Sequence, residues 1–179
     1  MGGSPTRRKF LALSMFATAA IVTRPSLVQA HAGERTISLL NTHTGESVKT
    51  VYWADGVFVD DGLGEISRLL RDYRTDDVIP IDPRLVDLLY RLRRKVGAKR
   101  AFHVVSGYRS PVTNAILRKS NNGVAKNSYH MSGMAVDTYL PKVELRTLQR
   151  AALSLRAGGV GYYPKTGFVH LDSGRVRSW

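Results

Sequence analysis

Two short runs near the start of the folded region alternate apolar and polar residues and are separated by a polar segment. The runs cover residues 36–40 and 48–53, and the segment between them, residues 41–46, contains Asn41 and Gly45. Alternation with a period of two is typical of a half-buried strand, and asparagine and glycine favour tight turns. The pattern therefore predicts a β-hairpin.

Three later segments carry apolar residues at the three- and four-residue spacing of an amphipathic helix. These positions are Ile66, Leu69, Leu70 and Tyr73; Leu85, Leu88, Leu89, Leu92 and Val96; and Leu145, Leu148, Ala152 and Leu155. Asp82 followed by Pro83 suits the N-cap and first residue of the second helix, and Gly97 suits its end. Ser110 and Pro111 indicate the start of a further helix for the same reason.

Short apolar runs that alternate with helices occupy the second half of the chain. Residues 101–106, 134–140 and 168–172 are predicted to be strands, and the glycine-rich residues 158–164 are predicted to turn the chain into the last of them. Helices that follow a first hairpin, and strands that then alternate with helices and tight turns, favour an α+β architecture. We therefore expect a single domain with a mainly antiparallel sheet flanked by helices.

Residues 1–30 have a composition of their own. A basic start, an apolar run over residues 11–22 and small residues near position 30 are typical of a secretory signal peptide. The run is too short to span a bilayer, so we expect no stable membrane anchor after cleavage. Arg7 and Arg8 resemble a twin-arginine signal, which exports folded proteins, although an ordinary basic leader is the alternative. The prediction is a periplasmic protein with a mature domain of residues 31–179.

Composition and charge then narrow the possible chemistry. The chain has 179 residues and no cysteine, which excludes thiolate metal sites, iron–sulfur clusters and a cysteine nucleophile. The net charge is +13; residues 1–30 hold four basic residues and no acid, which leaves 23 basic against 14 acidic residues, or +9. The basic residues lack interleaved aromatic side chains that would stack on bases, so we expect an anionic cell-wall polymer rather than nucleic acid as the partner. Glycine-rich nucleotide-binding motifs are absent from the sequence.

A metal site is indicated by residues 128–137, where His130 and Asp137 lie seven positions apart around Gly133. A third ligand has to come from elsewhere, and His170 lies in a similarly compact apolar segment. Three protein ligands leave one coordination position open, which is the pattern of a catalytic zinc ion. The sequence therefore predicts one Zn²⁺ held by these two histidines and the aspartate.

Arg109 follows a predicted strand and precedes a predicted helix, at a rim where ligands commonly bind. A guanidinium there is able to hold a carboxylate or a developing oxyanion through two parallel hydrogen bonds, and a structural salt bridge is the alternative. His43 in the hairpin turn and His103 in a strand are interpreted as structural residues rather than metal ligands.

Three short motifs occur in a fixed order along the chain. They are Ser106-Gly-Tyr-Arg-Ser-Pro111, Ser128-x-His130-x-x-Gly133-x-Ala135-x-Asp137 and His170-x-Asp172. Together they resemble the zinc peptidases of the D-Ala-D-Ala carboxypeptidase and hedgehog-fold superfamily, and within it the YcbK-like murein endopeptidases. The resemblance implies a hedgehog/DD-peptidase-like fold, a zinc site of His130, Asp137 and His170, and substrate contacts by Ser128 and Arg109.

The activity that this resemblance implies is zinc-dependent hydrolysis of the peptide cross-links of peptidoglycan. A zinc D-Ala-D-Ala carboxypeptidase is the alternative within the same superfamily. Two other classes remain open, because the fold is also used without catalysis: a wall-binding module that contains zinc, and a basic periplasmic binder without metal.

This chain lacks a basic or acidic side chain at the two positions where some members of the superfamily carry their general base. Those members carry a glutamate three residues before the last ligand or a histidine two before it, and here these positions are Gly167 and Phe168. Side chains on a strand repeat with a period of two, so Asp172 is expected on the same face as His170, within reach of the attacking water. Asp172 is therefore the predicted base, and the alternative is that it orients the imidazole of His170.

Overall fold

The computed structural model of the protein describes residues 1–2, 33–120 and 123–179. The predicted signal peptide and its twin-arginine motif lie outside the described residues. Within the described part of the chain, no helix has both the length and the apolar character needed to cross a membrane.

An eight-stranded sheet forms the centre of the fold. Its strands are β1 Arg35–Asn41, β2 Ser47–Ala54, β3 Val57–Phe58, β4 Phe102–Ser106, β5 Ala135–Tyr139, β6 Gly159–Tyr163, β7 Phe168–Asp172 and β8 Arg177–Ser178. The spatial order is β3-β2-β1-β4-β5-β7-β6-β8. Neighbours pair antiparallel except β1 with β4 and β6 with β8, which are parallel. The predicted hairpin is thus β1 and β2, and the mainly antiparallel sheet is confirmed.

Four α-helices and one short 3₁₀ helix accompany the sheet in the described residues. They are α1 Asp60–Leu69, α2 Pro83–Lys95, α3 Pro111–Ser120, the 3₁₀ helix Tyr129–Ser132 and α4 Leu145–Leu155. Helix α2 begins as predicted, because the side chain of Asp82 accepts a hydrogen bond from the backbone N–H of Arg84 at 2.9 Å. Ser110 caps α3 in the same way, through the backbone N–H of Thr113 at 3.2 Å. The α+β class is confirmed.

The hydrophobic core lies between the helices and the sheet. Helix α2 contacts β1 and α4, and α4 contacts β6 and β7. The fully buried core side chains include Ile37, Leu39, Tyr52, Leu85, Leu89, Leu92, Phe102, Leu148 and Leu171. The apolar faces predicted from helical spacing therefore pack inward, and this core holds the central strands β5 and β7 in fixed register.

Two local predictions were wrong. Residues 158–164 do not form a simple turn, because Gly159–Tyr163 is strand β6, paired with β7 and β8. The glycines at its start permit close approach rather than a turn: a Cβ on Gly158, just before β6, would lie 1.7 Å from the carbonyl oxygen of Asp172. Helix α1 ends at Leu69, so Tyr73 lies beyond it, in the loop before α2.

Helix α1 offers a test of this packing with two glycines that differ in their surroundings. A Cβ on Gly62 would lie 2.0 Å from the carbonyl oxygen of Val51, whereas a Cβ on Gly64 would meet nothing within 4 Å. We expect Gly62→Ala to destabilise the protein by about 3 kcal/mol, because strand backbone has to move. Gly64→Ala should stabilise it by about 0.5–1 kcal/mol, the usual gain in a helix. Urea unfolding of both variants measures the difference, and equal stabilities would contradict this packing of α1 on β2.

Candidate metal centre

Strands β5 and β7 bring Asp137 and His170 together. The two residues are directly opposite each other in the antiparallel register, and Oδ1 of Asp137 lies 2.9 Å from Nδ1 of His170. His130 comes from the 3₁₀ helix just before β5, and its Nε2 lies 3.2 Å from Nδ1 of His170 and 3.3 Å from Oδ1 of Asp137. All three residues are buried, so the structure brings the three predicted ligands to one point.

The 3₁₀ helix that carries His130 is held at both ends. The Ser128 hydroxyl accepts a hydrogen bond from the backbone N–H of His130 at 3.4 Å, so the contact shown by Ser128 is a helix cap. Gly133 ends the helix at φ 66°, and a Cβ there would also lie 2.6 Å from the carbonyl oxygen of Pro80. Both the positive φ and the close contact with Pro80 require glycine at this position, which lies between His130 and Asp137 in the sequence.

Hydrogen bonds on the outer nitrogen of each imidazole leave the inner nitrogen facing the cluster. Nδ1 of His130 lies 2.7 Å from the carbonyl oxygen of Gly107, which only accepts, so Nδ1 is the donor and Nε2 faces the other two residues. Nε2 of His170 faces Oδ2 of Asp172 at 3.1 Å, and Nδ1 faces Oδ1 of Asp137 at 2.9 Å. With the ring proton of each imidazole on its outer nitrogen, two lone pairs and the Asp137 carboxylate converge, an arrangement that suits a metal cation.

The distances also fit zinc. Metal–nitrogen and metal–oxygen bonds of about 2.0–2.1 Å in a tetrahedron place neighbouring ligand atoms about 3.3 Å apart. The three separations here are 2.9, 3.2 and 3.3 Å. Two imidazoles and one carboxylate are a common donor set of catalytic zinc, so the residues present fit the ion that the sequence predicts.

The electrostatics of the site also favour positive charge at this point. Burial acts to raise the pKa of Asp137, but the imidazoles of His130 and His170 outweigh it and hold this pKa well below the usual range. Burial acts to lower the pKa of His170, yet hydrogen bonds to Asp137 and Asp172 outweigh it and raise that pKa. The carboxylate of Asp137 therefore stays ionised, and a cation beside it would be stabilised.

Arg109 lies beside the ligands, as expected from its place between β4 and α3. Its Nη2 is 3.6 Å from Oδ2 of Asp137 and donates to the hydroxyl of Ser106 at 3.3 Å. The side chain is only 12% exposed, and burial lowers the pKa of its guanidinium despite the nearby Asp137. Its buried Nε has no hydrogen-bond partner among the described residues. A buried donor without a partner is uncommon in folded proteins and marks this side chain as unusual.

Asp172 lies on the far side of His170 from the ligand cluster. Its Oδ1 accepts hydrogen bonds from the backbone N–H groups of Gly159 and Gly174 and from Nη1 of Arg177, at 3.2, 2.9 and 3.0 Å. Its Oδ2 accepts from Nη2 of Arg177 at 2.7 Å and from Nε2 of His170. Burial acts to raise the pKa of Asp172, but these hydrogen bonds outweigh it and hold the pKa well below its usual range.

The two remaining histidines of the described domain lie outside the cluster. The ring of His43 stacks on Tyr73 with 4.1 Å between the centroids, and Nδ1 of His103 lies 3.0 Å from the hydroxyl of Tyr139. These contacts agree with the structural roles that the sequence indicates for them.

Sequence reasoning did not identify the carbonyl of Gly107 or the side chains of Arg177 and Trp179 as part of the site. Gly107 lies in the motif that contains Arg109, so its position next to a functional residue was an available signal. Arg177 reaches Asp172 only through the turn after β7, and no spacing in the sequence indicates that contact. The ring centroid of Trp179 lies 5.2 Å from that of His170.

The fold and the site together define the class of protein. Two of the converging candidate ligands lie on central strands of a mainly antiparallel sheet, and the third lies on the 3₁₀ helix just before one of these strands. With one coordination position left for water or substrate, this is the pattern of a catalytic metal enzyme. The profile of the family described as "Peptidase_M15_2: Peptidoglycan L,D-endopeptidase MepK" matches residues 29–179. The chain belongs to this family of metallopeptidases.

Individual relatives support the same assignment. The Escherichia coli K12 protein named "Peptidoglycan L,D-endopeptidase MepK" is 43% identical over 175 residues, which cover 97% of this chain and 96% of the relative. The Haemophilus influenzae protein named "Probable peptidoglycan L,D-endopeptidase MepK" is 40% identical over 146 residues, or 81% of this chain and 78% of the relative. No solved structure matches the chain significantly.

Proposed function

We propose that this protein is an exported, zinc-dependent peptidoglycan endopeptidase that hydrolyses peptide cross-links between stems. The observation that carries the proposal is the convergence of three metal-binding acceptors, from His130, Asp137 and His170, within 4.8 Å of one another. The names of the relatives indicate peptidoglycan as the substrate, because these proteins are called peptidoglycan L,D-endopeptidases. The bond proposed is accordingly an L,D-peptide bond, such as the one that joins two diaminopimelate residues.

The residues around the cluster fit hydrolysis of an amide. A zinc ion held by the three ligands would act as a Lewis acid toward the peptide carbonyl and toward the attacking water. Arg109 would donate to the developing oxyanion from its position beside Asp137, in a buried environment where such a hydrogen bond is strong. Ser128 would act chiefly by fixing the helix that presents His130, and the substrate contact expected of it remains a prediction.

The geometry around Asp172 favours a different role from the general base that the sequence predicts. A general base has to face the water and needs a pKa near the working pH. Asp172 faces the opposite nitrogen of His170, both of its oxygens are occupied, and its pKa is low. We therefore propose that Asp172 orients His170, which was the alternative to its predicted role as base.

The test of the function uses two defined muropeptides side by side. Zinc-loaded protein should convert dimers cross-linked through two diaminopimelate residues into monomers and leave uncross-linked pentapeptide monomers intact, as measured by mass spectrometry. His170→Ala is the matched inactive control. Release of D-alanine from monomers with dimers untouched would show a carboxypeptidase instead, and zinc binding without cleavage of either would show a wall-binding module.

Export is the part of the proposal that rests on sequence. The family profile begins at residue 29, close to the proposed end of the signal peptide, which supports residues 31–179 as the mature peptidase domain. Replacing Arg7 and Arg8 together with lysine is expected to leave the precursor inside the cell, because twin-arginine transport reads that pair. Fractionation and immunoblotting check this, with Arg24→Lys as a matched control. Normal periplasmic accumulation of the double variant would contradict this route.

A further inference from the structure

Arg177 contacts the residues that hold both histidine ligands. Its guanidinium makes two parallel hydrogen bonds to Asp172, at 3.0 Å to Oδ1 and 2.7 Å to Oδ2. The same guanidinium lies over the ring of Tyr129, with 5.1 Å between Cζ and the ring centroid. Asp172 hydrogen-bonds His170, and Tyr129 directly precedes His130. One side chain thus links the supports of two ligands that come from different elements.

The surrounding backbone leaves room for this pair of charges. A Cβ on Gly159 would lie 2.3 Å from Oδ2 of Asp172 and 2.3 Å from Nη1 of Arg177. A Cβ on Gly174 would lie 2.7 Å from the ring of Tyr129 and 2.9 Å from Oδ1 of Asp172. Both glycines also donate their backbone N–H to Asp172. The position of the ion pair is therefore defined from several sides, and a side chain at either glycine would displace it.

Trp179 also contacts the guanidinium. Its ring centroid lies 4.7 Å from Cζ of Arg177, and its indole N–H donates to the hydroxyl of Tyr163 at 2.7 Å. Arg177 thus has two aromatic rings within cation–π distance, surroundings that suit the flat guanidinium far better than the ammonium of a lysine.

The chemical consequence concerns the imidazole of His170. Asp172 is completely buried, and two hydrogen bonds from Arg177 hold its carboxylate in one orientation. Oδ2 of that carboxylate lies 3.1 Å from Nε2 of His170, so the carboxylate fixes the plane of the imidazole. The opposite nitrogen, Nδ1, is thereby held facing Asp137 and His130.

We propose that Arg177 is a positioning residue of the metal centre: through Asp172 it fixes the orientation of His170, and so sets the affinity for zinc. This inference rests on the metal site of the proposed function. Arg177 does not touch the ligand atoms, so its effect is expected in metal affinity and ligand geometry rather than in loss of the fold.

The experiment compares three variants of the full chain. Arg177→Gln removes the charge, Arg177→Lys keeps the charge without the two parallel hydrogen bonds, and Arg175→Gln removes an exposed arginine two residues away. Zinc dissociation constants are measured by competition with a chelator, and the visible absorption of bound Co²⁺ reports the ligand geometry. Thermal unfolding of the metal-free proteins checks that each variant folds.

The expected result is a 10- to 100-fold weaker zinc affinity in Arg177→Gln, the usual cost of losing a group that orients a ligand, together with a changed Co²⁺ spectrum. Arg177→Lys should recover part of the affinity, and Arg175→Gln should match the wild type. If Arg177→Gln does not fold, the zinc affinity and the Co²⁺ spectrum of Arg177→Lys test the inference in its place.

Several outcomes would overturn the inference. Wild-type affinity and spectrum in folded Arg177 variants would do so, and so would equal weakening in Arg175→Gln. Failure of both Arg177 variants to fold would assign Arg177 a purely structural role. A wild-type protein that binds no zinc would instead refute the metal site of the proposed function, so the two failures are distinguishable.

Discussion

Replacing His170 with alanine is expected to abolish stoichiometric zinc binding and to lower hydrolysis of cross-linked muropeptides by at least about a thousandfold. The reason is the small number of proposed ligands: three protein groups would hold the ion, and the two that remain are too few to bind it tightly. Loss of several kcal/mol of charge stabilisation in the transition state corresponds to a rate loss of about this size. His130→Ala and Asp137→Ala should behave in the same way.

The measurement is zinc content by mass spectrometry together with the muropeptide assay. His43→Ala and His103→Ala are the matched controls, because both lie outside the cluster, and they should retain zinc. Full zinc occupancy in the His170 variant would refute the assignment of His170 as a ligand.

Changing Asp172 to asparagine is expected to weaken zinc binding by about 10- to 100-fold and to reduce stability as well. The amide of asparagine is neutral, so Arg177 is left without its buried counter-charge, which typically costs about 3–5 kcal/mol. Asparagine also presents an amide donor where His170 and Arg177 both need an acceptor, so the proton of His170 is no longer held on Nε2. Both effects follow from the five hydrogen bonds that Asp172 accepts.

Asp87→Asn serves as the control for that experiment. Asp87 also pairs with an arginine, Arg35, at 2.5 Å, but it lies on α2 away from the metal ligands. It should lose some stability while its zinc affinity stays at the wild-type value. If Asp172→Asn instead keeps full zinc affinity and loses two to four orders of magnitude in turnover, Asp172 is the general base that the sequence predicts.

The Asp172 experiments also test whether the two-residue period of a strand is enough to predict the role of a side chain. Period two correctly places His170 and Asp172 on one strand two residues apart, and they are in contact. The period of two does not predict which nitrogen of the His170 imidazole faces the carboxylate of Asp172. The orientation of the ring depends on Asp137 and His130 on its other side, and these two residues come from different elements.

The sequence by itself determined most of the helices and strands of this protein and indicated its candidate metal ligands. Helical spacing places the apolar faces of α2 and α4, alternation defines the first hairpin, and Asp82 and Ser110 mark helix starts, because these signals depend on near neighbours in the chain. The candidate ligands could also be named from the sequence, because two of them share a short segment around a glycine and the third has few competitors in a chain with five histidines.

Only the tertiary structure decided the surroundings of those ligands. Strand β6 was missed because its glycines resemble turn signals, whereas Gly159 permits close contact with Asp172 and Arg177, and Gly161 permits close contact with Trp179. The carbonyl of Gly107, the pairing of Asp172 with Arg177 and the orphan Nε of Arg109 all depend on contacts between elements distant in sequence. Such contacts are formed when the core packs the strands in register, and no local pattern of residues encodes them.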